Sequence, residues 1–149
     1  MSHPQLDNLV HIGQLKAEPP SKEECDGLLN SAICYLRDAR LEVLSLESRF
    51  DLVYNASHAL ALVALRLLGY RPKSRNLVFQ CLQHTATDLS NEDRLFLERA
   101  HSKRNHVVYE GEMCVDEMLV SEMTRIVKNI RLLLNNFRPE KGLIMDENC

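Results

Sequence analysis

The ten residues from Ala59 to Leu68, which read Ala-Leu-Ala-Leu-Val-Ala-Leu-Arg-Leu-Leu and stop at Gly69, decide the fold. Apolar side chains there cover every side of a helix, and a helix with that pattern is buried on most of its faces. The run is shorter than the roughly 18 apolar residues that a membrane span needs, so we expect no membrane contact. We predict that residues 45–68 form the central helix of a helical bundle.

Length and composition fit one soluble helical domain. The 149 residues carry a net charge of −3, so any basic binding surface must be local. Five glycines, five prolines and no tryptophan favour helices over a turn-rich β fold. The five cysteines are odd in number and include no Cys-x-x-Cys pair, which predicts free thiols in a reducing cytoplasm. The histidines and cysteines have no metal-binding spacing, and we expect neither a metal nor a cofactor.

Capping residues and helix breakers divide the rest of the chain into helices. Ser21 starts one helix with Glu24 at the spacing of a capping box, and Ser45 caps the central one. Further helices are predicted over residues 74–85, from Ser90 to a break near Gly111, and over residues 116–137. The prediction is an all-α, up-and-down bundle of four to five helices without strands, over residues 21–138. Residues 1–20 form a loosely packed arm, and residues 139–149 form a mobile acidic tail.

The helix that follows Ser90 places a charge on its apolar face. At about 100° per residue, Arg104 falls among the inward side chains of Phe96, Leu97, Ala100, Val107 and Val108. A buried guanidinium cannot lose its charge, so it needs a carboxylate or several acceptors nearby. We expect Asp51 to supply it, from the polar stripe Asp51-Asn55-His58 on the central helix. Arg104 is then either a structural ion pair at the bundle edge or an anion-binding group in a cleft or dimer seam.

Two further sets of polar residues flank Arg104 on the same helix. Glu98, His101, Asn105 and Tyr109 follow one another at steps of three or four residues, and Arg99, Lys103 and His106 lie on a third face. On spacing alone, both sets also fit an ordinary solvated surface.

The segment Arg104-Asn105-His106-Val107-Val108-Tyr109 resembles the signature helix of HEPN domains, a helical family common in prokaryotic toxin–antitoxin and defence systems. The family's motif is an arginine, commonly followed by a polar residue such as asparagine, then four to six residues and a histidine. The run from Arg49 to Ala56 and the helix ending Gly69-Tyr70-Arg71-Pro72 resemble one small branch of that family. The similarity covers roughly residues 25 to 135.

The resemblance implies a homodimer in which two copies of the motif meet in a cleft. Active members are metal-independent ribonucleases, in which the arginine stabilises the phosphate and the histidine moves protons. Here Tyr109 stands where active members have histidine, and a phenol with a pKa of about 10 is a poor base at neutral pH. Arg99, followed by six residues and His106, also satisfies the loose motif. Sequence support for the dimer is limited to the neighbouring residues Val107, Val108, Met113, Cys114, Met118 and Met123.

We expect Arg104, Asn105 and Tyr109 to form the site, with His106 and Arg99 as further candidates. The favoured hypothesis is a non-catalytic, dimeric HEPN-like domain in the cytoplasm. Its ligand would be RNA, a nucleotide or a partner protein such as a nucleotidyltransferase-type antitoxin. The alternative is a metal-independent endoribonuclease that uses Arg104 with His106 or Tyr109, and a purely architectural bundle also fits the periodicity.

Overall fold

A computed structural model of the chain describes residues 3–110 and 115–137, and side chains over residues 3–105 and 115–135. The fold is mostly helical, as predicted. The elements in chain order are α1 (Pro4–His11), β1 (Leu15–Ala17), α2 (Lys22–Asp38), α3 (Leu46–Leu68), β2 (Tyr70–Pro72), α4 (Arg75–Gln80), α5 (Leu82–Thr85), α6 (Asn91–Glu110) and α7 (Glu117–Phe137).

Helix α3 is the centre of the molecule, and α2 and α7 pack along it. Ser45 caps α3 by accepting the backbone N–H of Ser48 at 3.1 Å. Gly69 ends the helix at φ 93°, in the left-handed region that glycine adopts without strain. In the described part of the chain, α3 is the one helix long and apolar enough to cross a membrane, but 61% of its most apolar window is buried. That burial is typical of a core helix in a soluble protein.

The structure of the N-terminal residues contradicts two predictions. Residues 4–17 form α1 and β1 instead of a loose arm, and the side chains of Leu6 and Leu15 are only 0% and 2% exposed. β1 pairs antiparallel with β2, with Ala17 opposite Tyr70, so the expectation of no strands is also wrong. Each strand has only three residues, which is too few to show the alternating pattern by which strands are recognised in a sequence.

Two local predictions also differ from the structure. The helix predicted over residues 74–85 is divided into α4 and α5 at Cys81, although the four residues expected to face inward are all buried: Leu77, Val78, Cys81 and Leu82. Cys34 is disulfide-bonded, so the expectation of free thiols is wrong there, whereas the thiol of Cys81 is free and buried. An odd number of cysteines leaves one unpaired and does not prevent others from pairing.

The predicted helix starts at Ser21 and Ser90 are confirmed. Ser21 accepts the backbone N–H of Glu24, and Ser90 accepts that of Asp93. Met118 is 79% exposed, but Met123 is fully buried and is therefore a core residue. The break near Gly111 and the acidic tail lie outside the described residues. The buried residues of α7 are Val120, Met123, Ile126, Val127, Ile130 and Leu134.

Candidate functional site

Arg104 on α6 and Asp51 on α3 form the ion pair that the sequence predicts. The Arg104 Nε donates to Asp51 Oδ1 at 3.0 Å, and the two side chains are 26% and 47% exposed. An ion pair this exposed contributes about 1 kcal/mol or less to stability, because water screens both charges. The pair therefore positions the guanidinium without burying it.

Tyr54 provides the surface on which the guanidinium rests. It follows Asp51 by almost one turn of α3, so both side chains point towards α6. The Arg104 Cζ lies 5.2 Å from the centre of the Tyr54 ring, which is within the range of a cation–π interaction. The Tyr54 side chain is only 1% exposed, and burial raises the pKa of its hydroxyl, so the phenol stays protonated.

His101 joins this arrangement from α6 and is held at both ring nitrogens. Its Nδ1 lies 2.8 Å from the Tyr54 hydroxyl oxygen, and its Nε2 lies 3.2 Å from the Asn105 Nδ2. Burial, with the charges of Arg75 and Arg104, lowers the pKa of His101, which keeps the ring neutral. Because an amide nitrogen only donates, Nε2 accepts from Asn105, and the ring proton on Nδ1 is donated to Tyr54.

An aromatic layer supports the cluster from α4. The Phe79 ring centre lies 5.2 Å from that of His101, 5.8 Å from that of Tyr54 and 5.9 Å from that of His58. The Nε2 of His58 is buried and has no hydrogen-bond partner among the described residues. Burial, with the charge of Arg75, lowers the pKa of His58 to about 4, so this ring is also neutral at pH 7.

We call Asp51, Tyr54, His101, Arg104 and Asn105 the Arg104 cluster. Its one half-exposed carboxylate and its neutral histidine leave Arg104 as the group suited to an anion. A guanidinium has five N–H donors, and Asp51 is its only recorded acceptor among the described residues. The free edge of such a group matches two oxygens of a phosphate.

The structure describes the side chains of three of the five predicted site residues, and it brings two of them together. Arg104 and Asn105 belong to the cluster, and Asn105 is exposed. Arg99 is exposed elsewhere, beside a cavity of about 340 Å³ that residues of α6 and α7 line. The side chains of His106 and Tyr109 lie outside the described part of the chain. The rest of the predicted polar stripe divides, because Glu98 pairs with Arg94 while His101 is buried.

Sequence reasoning missed three residues of this region, namely Tyr54, Phe79 and Arg75. Tyr54 could have been identified, since it lies between Asp51 and His58 on the same face of α3. Asn55, which the predicted stripe includes, has no recorded hydrogen bond to the cluster. Phe79 and Arg75 come from α4, and no sequence pattern indicates that this helix packs beneath His101.

In the described residues, no three His, Cys, Asp or Glu side chains converge in a way that could hold a metal ion. In comparisons with known proteins, no family model, no curated protein and no solved structure matches the chain.

Proposed function

We propose that the chain is a HEPN-like, homodimeric helical domain that binds RNA through the Arg104 cluster and does not cleave it. The observation that carries the proposal is the state of the Arg104 guanidinium. It lies at the surface on the Tyr54 ring, 26% exposed, with a single carboxylate partner that is itself 47% exposed.

A phosphate fits the donors that this arrangement leaves available. Asp51 takes the Nε side of the guanidinium, so the terminal nitrogens can donate to two phosphate oxygens. Arg75, which lies close enough to lower the pKa of His58 and His101, adds a second positive charge. The guanidinium rests against the Tyr54 ring, and a side chain that is already held in place loses less conformational entropy on binding.

The histidine in the cluster argues for binding over cleavage. Proton transfer needs an imidazole with a free nitrogen and a pKa near the working pH. Both nitrogens of His101 are hydrogen-bonded inside the cluster, and its pKa is lowered. Tyr109, the residue at the motif position where active HEPN members have histidine, is a phenol that donates or stacks better than it accepts protons at pH 7.

The resemblance to HEPN domains extends this proposal to partners. A homodimer would bring two Arg104 clusters to one RNA. A toxin–antitoxin setting would supply a nucleotidyltransferase-type partner protein in place of, or beside, the RNA. Multi-angle light scattering at micromolar concentration gives twice the chain mass if the dimer forms, and the mass of one chain would contradict it.

The binding test uses a fluorescein-labelled pentanucleotide, U5, with anisotropy as the readout. A hydrogen bond between charged groups is worth about 1.5–3 kcal/mol, so Arg104→Gln should weaken U5 binding by about 10-fold or more. Arg99→Gln removes the same charge from an exposed position on the same helix and serves as the matched control. Equal losses in both variants would show a general charge effect and contradict a site at Arg104.

One observation supports an endoribonuclease as the second candidate function. Arg104 keeps an accessible guanidinium, which is what the family's phosphate-stabilising arginine requires. Total cellular RNA incubated with EDTA should stay intact with the wild type if the domain only binds. Cleavage by the wild type that disappears in Arg104→Ala would favour the nuclease, and retained cleavage in Tyr109→Phe would then assign the proton transfer to His106.

A further inference from the structure

A groove with basic walls runs between α2 and α7, on the side of α3 away from the Arg104 cluster. The two helices pack on α3 and make few contacts with each other. Two adjoining cavities of about 390 and 270 Å³ occupy the space between them. Arg49 lines the groove, and Asp51 of the cluster lies two residues later, about 200° around the same helix. Both cavities are lined by Leu36, Arg40, Thr124 and Lys128.

The two ends of this groove differ in charge balance. At one end the cations are paired, because Arg49 lies 3.8 Å from Glu117 and Arg125 lies 2.7 Å from Asp93. Arg125 also contacts Glu122 at 2.5 Å.

At the other end of the groove, positive charges outnumber negative ones. Arg40, Lys128 and Arg131 have no ion-pair partner among the described residues, and Arg37 has only its chain neighbour Asp38, at 3.4 Å. Beyond Glu122, no acidic residue occurs in α7 up to its end at Phe137. We call Arg37, Arg40, Lys128 and Arg131 the groove cations.

Helix ends do not account for this arrangement. Arg37 and Arg40 lie at the C-terminus of α2, where positive charge is favourable. Lys128 and Arg131, however, lie in the interior of α7, far from either terminus. Like charges one turn apart on a helix repel one another, so the arrangement costs stability unless an anion is bound.

We infer that the groove cations bind the phosphodiester backbone of single-stranded RNA, at a surface separate from the Arg104 cluster. The residues at the base of the groove, Ile33 and Leu36, are already only 5% and 7% exposed. An amphipathic partner helix would therefore gain little from covering them. The unpartnered feature is charge, which a polyanion complements.

The dimensions of the groove fit a few nucleotides. From Thr124 to Arg131 the groove follows about 10 Å of α7, and a stacked strand carries one phosphate per about 3.4 Å. About three phosphates thus face the four groove cations. This inference rests on the proposed function in one respect, namely that RNA is the ligand. A strand that reaches both surfaces would pass around α3.

The test measures anisotropy of fluorescein-labelled U30 from 50 to 200 mM KCl with the full chain. The variant Arg40→Gln/Lys128→Gln/Arg131→Gln is compared with Lys16→Gln/Lys22→Gln/Lys73→Gln, which removes the same charge from exposed lysines outside the groove. Each lost phosphate contact lowers the slope of log K against log salt by about 0.7, so the groove variant should lose about 2. Its affinity at 50 mM KCl should fall about 10-fold or more, and that of the lysine control much less.

Three results would overturn the inference: an unchanged slope in the groove variant, an equal loss in the lysine control, or better competition by polyglutamate than by unlabelled U30. If the groove variant unfolds, Arg40→Lys/Arg131→Lys keeps the charges and should retain binding; loss of binding in that variant, once folded, would also count against a charge-based groove.

Arg104→Gln separates the two proposals. Loss of U30 binding there, with the groove variant unchanged, removes the groove and keeps the Arg104 site. The reverse result keeps the groove and removes that site. If the wild type does not bind U30, the groove proposal is wrong, and the U5 anisotropy measurement then tests the Arg104 site on its own.

Discussion

Arg66 of α3 and Arg104 of α6 lie near opposite ends of α3, and they differ in how many of their N–H donors are hydrogen-bonded. Arg66, near the C-terminal end, is 1% exposed, and its guanidinium donates to one carboxylate and three backbone oxygens. Arg104 packs against the N-terminal half of α3, is 26% exposed and has one described acceptor. The first guanidinium is saturated with hydrogen bonds, and the second keeps donors for a ligand.

The hydrogen bonds of Arg66 hold the segment that precedes α2 against the core. Its Nε donates to the Glu24 carboxylate at 2.7 Å, and its Nη2 donates to the backbone oxygen of Pro19 at 2.7 Å. Its Nη1 donates to the backbone oxygens of Glu18 and Tyr70, at 3.0 and 3.3 Å. The Arg66 side chain therefore connects three parts of the chain: the segment before α2, helix α2 itself and strand β2.

An arginine on the apolar face of a helix can therefore have one of two roles, structural or ligand-binding. Where carboxylates and backbone oxygens use every donor, the cation is structural and its removal should cost stability. Where a single exposed carboxylate uses one donor, the cation is available and its removal should cost binding.

The largest effect is expected for Arg66→Met. The substitution leaves three backbone oxygens without their donor, whereas the Glu24 carboxylate is 29% exposed and keeps Arg71 as a partner. An unsatisfied buried polar group costs about 1–3 kcal/mol, so the free energy of unfolding should fall by about 3–5 kcal/mol, which urea unfolding followed by circular dichroism can measure. Arg71→Met is the matched control, because Arg71 contacts the same carboxylates but is 37% exposed. If Arg71→Met cost as much as Arg66→Met, saturation would not be the cause.

A second effect concerns the pH dependence of stability and the partly buried ring of His58. The pKa of a histidine is about 6.5 in the unfolded chain and falls to about 4 in the folded protein, so only the unfolded state takes up a proton between these values. Stability from this group is complete above pH 6.5 and is lost progressively as the pH falls towards 4, by about 3 kcal/mol in total.

The His58→Leu variant should flatten that part of the pH dependence. The free energy of unfolding, measured by urea at pH 7.0 and pH 4.5, should fall less in the variant than in the wild type. His11→Leu changes an exposed histidine on α1 and should leave the difference intact. Equal pH dependence in His58→Leu and the wild type would mean that other groups produce it.

A smaller effect is expected for Tyr54→Phe. The change removes the hydroxyl that lies 2.8 Å from the His101 Nδ1 and leaves that nitrogen buried without a partner. An unsatisfied buried polar group costs about 1–3 kcal/mol. Tyr35→Phe, a partly buried tyrosine on α2, should cost less. Two-dimensional NMR of the histidine ring nitrogens would show the change at His101, and an unchanged His101 signal would contradict the hydrogen bond.

The sequence predicts the scaffold better than the contacts between its elements. The central helix and its Ser45 and Gly69 ends follow from spacing within one helix. The Asp51–Arg104 pair follows from a charge on an apolar helix face that needs a partner, although the guanidinium stays 26% exposed. The pairing of β1 with β2 and the approach of Phe79 to His101 depend on tertiary packing, and no residue spacing encodes them.

Arg66 shows the same limit in one residue. It is the lone cation in the apolar run from Ala59 to Leu68, and charge burial alone predicts that it needs partners. Its carboxylate partners, however, lie more than 40 positions earlier in the chain, at Glu18 and Glu24. The arm that contains Glu18 looks loose in sequence because the contact that orders it is remote.

The smallest effect on stability is expected for Arg104→Gln, which completes the comparison with Arg66. The substitution removes an exposed ion pair and a cation–π contact, each worth about 1 kcal/mol or less. Asp51 is 47% exposed, so water replaces the lost donor and no buried charge remains. The unfolding free energy should therefore change by about 1 kcal/mol, while U5 binding falls by about 10-fold or more. A loss of stability as large as that of Arg66→Met, with binding unchanged, would make Arg104 a structural residue and reverse the assignment on which the proposed function depends.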